Sequence, residues 1–94
     1  MRDKAAQIRA NASRLAKAAE RGLAAARASV ETQQRMVEQM RLRGEDATAA
    51  EILLGNLREV LALRAAELER LAANLAEARR TPDWKLNQAG DEDA

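Results

Sequence analysis

Arg9, Arg14, Lys17 and Arg21 are the side chains of this sequence best placed to bind something charged. With Arg2, Lys4 and Arg27 they stand against only Asp3 and Glu20 in the first 27 residues. On a helix, Arg14, Lys17 and Arg21 fall on one side. Such a stripe can contact the phosphates of a nucleic acid or an anionic membrane surface. It is diluted with Ala and lacks aromatic side chains on which single-stranded bases stack. A nucleic-acid contact through these four cations is therefore the second reading of the sequence, with a membrane surface behind it.

Other chemistry finds little material. The chain has no His and no Cys, so the usual general base, thiol nucleophile and soft metal ligands are missing. Ser13 and Ser29 have no candidate base nearby in sequence, and no Gly-rich loop forms a phosphate cradle. Glu31 and Glu38 share a helix face, but a two-metal carboxylate site draws on several helices. Asp91, Glu92 and Asp93 read as a solvated end. The sequence thus calls for no catalytic residue, no metal ligand and no cofactor, and the chain is expected not to be an enzyme. Asn11-Ala12-Ser13 fits a glycosylation sequon, which we read as chance in a helix.

The elements that must position these residues are helices. Of 94 residues, 23 are Ala and 12 are Leu, and the only aromatic is Trp84. β-Branched and aromatic residues are too few for a sheet, while Ala, Leu, Arg, Glu, Gln and Met form helices readily. The spacing predicts a first helix from about Asp3 to Arg43, with Ile8, Ala12, Leu15, Ala19, Leu23, Ala26, Val30, Gln33, Val37 and Met40 on its apolar side. Two successive steps of four across Leu15, Ala19 and Leu23 predict a local unwinding of any supercoil. Arg41, Arg43 and Gly44 form a helix stop. A second helix is expected from Thr48 to about Arg80. Thr48-Ala49-Ala50-Glu51 reads as a capping box, and Thr81-Pro82 ends the helix. Its apolar seam is Leu54, Leu57, Leu61, Leu68, Leu71, Leu75 and Ala78, interrupted only by Arg64. Gln33 and Arg64 are polar seam residues of the kind that set register, Arg64 either snorkelling past Ala26 or pairing with an acid such as Glu31 of another chain. Gly22 and Gly55 interrupt the two helices and are read as tolerated.

A link of about four residues, Gly44 to Ala47, forces antiparallel neighbours. The expected fold class is all-α: two long antiparallel helices in a hairpin, with residues 81–87 wrapping back and residues 88–94 a disordered acidic tail. Trp84 and Leu86 are expected to cover Ile8 and Ala5. Residues 1–44 carry an excess of six positive charges and residues 45–94 an excess of five negative ones, so the two helices attract each other. One seam does not use all the apolar side chains. Met36, Met40, Leu42, Ile52, Leu53, Val60 and Leu63 cluster toward the expected tip, and patches of this kind mark an interface. Two hairpins packed through it would form a homodimeric four-helix bundle, which suits a non-catalytic interaction or scaffolding module; another protein partner would serve equally well.

The N-terminal region has no continuous apolar run of the secretory type, and no stretch reaches the length of a membrane span. Residues 1–30 share the Arg- and Ala-rich, acid-poor composition of an organellar transit peptide; an Ala-rich helix surface is the preferred reading, and the expected compartment is the cytoplasm. From Val30 to Leu63, Gln33 and Val37 precede the Gly44-Glu45-Asp46 turn, and Ala50, Leu53, Leu54, Leu57 and Leu61 follow it. This pattern resembles short, functionally uncharacterised bacterial proteins built as helical hairpins. The resemblance implies a hairpin in a bacterial cytoplasm and supplies no activity or site.

Overall fold

The structure is a computed structural model that describes residues 3–88. Three helices follow one another: α1 (Lys4–Leu42), α2 (Thr48–Arg80) and the short α3 (Asp83–Asn87). No strand occurs among the described residues. The molecule is a rod of 66 × 20 × 19 Å. Contacts between Arg41 and Glu51 at one end and Arg9 and Ala78 at the other show that α1 and α2 run antiparallel. Of the expected acidic tail, residues 89–94 lie outside the described residues.

The reversal is built by local hydrogen bonding. Gly44 has φ +71°, a left-handed conformation that glycine adopts without a Cβ clash. Its N–H donates to the Arg41 carbonyl at 3.1 Å, and the Glu45 N–H donates to the Met40 carbonyl at 2.9 Å. These two bonds make a Schellman motif, which satisfies carbonyls that the end of α1 leaves without partners. α2 starts differently from the expected capping box. Ala47 occupies the cap position, and Asp46 Oδ1 accepts from both the Thr48 N–H (3.0 Å) and the Thr48 hydroxyl (2.6 Å). Glu51 instead reaches across to Arg41, whose Nε donates to it at 3.0 Å. A carboxylate two residues before the helix competes successfully because it accepts both bonds at once.

Packing follows from the 3.6-residue period. On α2 the expected seam is the one that turns inward: Leu54 and Ala78 are buried, and Leu57, Leu61, Leu68, Leu71 and Leu75 are half-buried. On α1 the inward positions are 5, 9, 12, 16, 19, 23, 26, 30, 33, 37 and 40. Their steps alternate four and three without a break, so the expected doubled four is absent. Ala16 is 5% exposed and Leu15 is 55% exposed. The smaller side chain takes the inner place, in a row with Ala12 and Ala19 that faces the larger leucines of α2. Val30, Val37, Ala47 and Leu54 form the best-packed cluster, with Met40, Ala50, Leu57 and Leu61 against it. Gln33 is buried among them and donates from Nε2 to the Ala50 carbonyl at 3.0 Å, holding the two helices in register.

The far end closes through a reciprocal clasp. The Ala78 carbonyl would normally accept from the N–H four residues on, which is Pro82 and has none. Arg9 Nε supplies that bond at 3.0 Å, Arg9 Nη2 donates to the Thr81 carbonyl at 2.7 Å, and Arg9 Nη1 lies 2.6 Å from Asp83 Oδ1. In return Asn87 Oδ1 accepts from the Ala5 N–H at 2.8 Å, and Asp3 accepts from the Ala6 N–H. Ala5 is completely buried under this cover and Leu86 is half-buried. Trp84 does not join it: the indole is 64% exposed. The wrap is held by polar bonds to helix ends, so the large ring is not needed to seal it.

A candidate interaction face

Single-residue offsets from the seam decide what each flank of the rod presents. A residue just before an inward position of α2 and a residue just before one of α1 meet on the same flank in an antiparallel pair. Leu53 and Val60 precede Leu54 and Leu61; Leu15, Gly22, Ser29 and Met36 precede Ala16, Leu23, Val30 and Val37. The geometry agrees, because a shallow groove on this side is lined by Ala28, Ser29, Thr32 and Gln33 of α1 and Leu53 and Leu57 of α2. Residues just after inward positions fill the other flank with Glu20, Arg27, Gln34, Arg41, Glu51 and Arg58, and the Arg41–Glu51 ion pair at 2.5 Å lies there. One flank is therefore charged near the tip, where the other carries Leu53, Val60 and Leu63 around Asn56 before turning polar at Glu67, Arg70, Asn74 and Glu77.

The apolar flank has two textures. On the tip half of α2, Leu53, Val60 and Leu63 project with 47%, 43% and 71% of their surface exposed. Beside them on α1 runs a strip of small residues, Ala18, Gly22, Ala25, Ser29 and Thr32. Gly22 lies beside the Arg64 stem, and a Cβ there would meet Arg64 Cδ in ordinary contact at 3.9 Å. Arg64 stays exposed and lies 3.7 Å from Glu67 of its own helix, so it snorkels out of the seam. Among the expected interface residues, Met36, Leu53, Val60 and Leu63 thus share this flank. Ile52 and Leu42 are exposed farther round, with Leu42 at the last position of α1. Met40 is half-buried against the hairpin's own core.

The four cations proposed for phosphate contact separate into two groups. Arg9 is committed to the clasp, with its side chain 30% exposed. Arg14, Lys17 and Arg21 are exposed and, with Asn11, Leu15 and Ala18, line a shallow depression on α1, where Arg14 donates to Asn11 Oδ1. The missing N–H of Pro82 was the sequence signal for a donor at this end; nothing local to Arg9 marked it as that donor. Among the described residues no three carboxylates converge as metal ligands would. Asp46 has its acidity raised: the two bonds from Thr48, side chain first and backbone second, hold its carboxyl below the usual aspartate range. Among the described residues no helix is long and apolar enough to cross a membrane. No protein-family model, curated protein or solved structure matches the chain.

Proposed function

We propose that the chain is a non-catalytic helical interaction module that acts by self-association through its apolar flank. One observation carries this reading: Leu53, Val60 and Leu63 stand together on a single flank of a two-helix layer, and no other element among the described residues covers them. A layer of helices with one apolar flank is stable when that flank packs on another. The hairpin's own interior supports the same view, because no large side chain among the described residues is fully buried. A rod this thin relies on assembly for part of its apolar burial. A bundle of four helices supplies it with standard packing distances and angles.

Light scattering across a range of concentrations tests the reading, with about twice the chain mass of 10.3 kDa expected. Leu53→Glu places a charge in the apolar patch and should halve that mass. Arg58→Glu on the polar flank should leave it unchanged. A strictly monomeric wild-type chain refutes the proposal.

Nucleic-acid binding stays as the second reading because Arg14, Lys17 and Arg21 keep their guanidinium and ammonium groups at the surface. With Arg9 withdrawn into the clasp, three clustered cations support weak, sequence-independent contact.

A further inference from the structure

Resting on self-association, we infer the orientation of the second copy: the two hairpins stack apolar flank to apolar flank with their tips at the same end, so that each α2 lies over the partner's α1. Two independent features of the surface select this arrangement. The first is shape. Leu53, Val60 and Leu63 are large and project from α2, while Ser29 and Thr32 of α1 are small and line a groove beside Leu53 on the same flank, with Ala25 one turn farther along. A two-fold axis parallel to the helices brings the large strip of each copy onto the small strip of the other. That is a self-complementary contact of the kind a symmetric dimer requires. It also repeats, between chains, the small-on-large packing that α1 and α2 already use within one chain.

The second feature is charge. α1 carries eight Lys/Arg against three Glu, whereas α2 carries five Arg and five Glu. Same-end stacking places each strongly basic α1 over a net-neutral α2. The alternative, with tips at opposite ends, lays α1 on α1 and so opposes two net-positive helices. The available area is sufficient: half of the 66 Å length across the 20 Å width is roughly 650 Å² per copy, close to the approximately 800 Å² per partner of a standard interface.

Because the chain has no cysteine, engineered thiols report the arrangement without background. Chains carrying Ser29→Cys alone are mixed with chains carrying Val60→Cys alone, and disulfide formation is followed under mild oxidation. The mixed dimer should cross-link at least tenfold faster than either variant with itself, and tenfold faster than Ser29→Cys mixed with Arg58→Cys, whose thiol lies on the polar flank. Both substitutions are at exposed positions, and far-UV circular dichroism confirms that the helices persist. Preferential linking of Val60→Cys to itself overturns the orientation while leaving self-association standing. The same holds for a chain that scatters as a dimer yet shows no preference for the mixed pair. A monomer in light scattering, with no cross-linking above the Arg58→Cys control, overturns both.

Discussion

Replacing Arg9 should undo one end of the molecule and leave the other intact. Its guanidinium serves the Ala78 and Thr81 carbonyls at 3.0 and 2.7 Å, and both belong to the C-terminal turn of α2, where the helix dipole favours a cation. Hydrogen bonds from a charged donor contribute about 1.5–3 kcal/mol each when buried. The side chain is 30% exposed, so water recovers part of both, and we take about 2–3 kcal/mol for the pair. The ion pair with Asp83, whose side chain is 63% exposed, adds less than about 1 kcal/mol. Arg9→Met keeps most of the apolar stem and removes the donors. It should therefore lower stability by about 2–3 kcal/mol, which for a chain of this size is about 10–20 °C in Tm. Urea denaturation followed by circular dichroism at fixed protein concentration measures the loss, since self-association would make the midpoint concentration-dependent. Hydrogen exchange should localise it: amides of α3 and the last turn of α2 lose protection, and those around Gln33 and Leu54 do not. Arg14→Met, at the surface, should change stability by no more than about 0.5 kcal/mol. An Arg9→Met chain within 0.5 kcal/mol of wild type, with α3 still protected, would show that the clasp contributes nothing.

Three further outcomes follow from the same geometry. Gly55→Ala should stabilise the chain by about 1 kcal/mol, because a Cβ there meets open space and the helix gains propensity, whereas Gly44→Ala should destabilise it by about 1–2 kcal/mol through the left-handed backbone at the turn; thermal melts of the two variants should move in opposite directions. Asp46 is more acidic in the folded chain than in the unfolded one, so the stability it contributes is fully present above the unfolded aspartate value and is lost as the pH falls through the lowered folded value; Asp46→Ala should flatten that acidic limb in pH-dependent denaturation and leave the slope near neutrality unchanged. Duplex DNA titrated in fluorescence anisotropy should bind weakly, with a log–log salt slope no steeper than about −3 for three phosphate contacts; nanomolar binding with a steeper slope would promote the cationic face to the principal site.

The leucine seam of α2 was legible in the sequence because each large side chain must leave water, and steps of three and four permit only one helix face. The stop at Gly44 and the end of α2 before Pro82 were legible for the same kind of local reason: one is a backbone that tolerates positive φ, the other a residue without an N–H. The apolar side of α1 was less legible. Its alanines occur at so many positions that several faces look alike, and choosing Leu15 over Ala16 on hydrophobicity alone produced a false break in the repeat. Only packing against α2 distinguishes them, since the small residue faces the larger leucines of α2 and the large one turns outward. The same holds for Arg9, Asn87 and Trp84. Whether a cation faces water or a carbonyl, and whether an indole seals an end or stands clear of it, depends on which groups another helix brings within hydrogen-bond reach. Those groups lie about 70–80 residues away along the chain. Periodicity along one helix determines which side is buried; the partner's shape and unsatisfied polar groups determine which residues on that side are used.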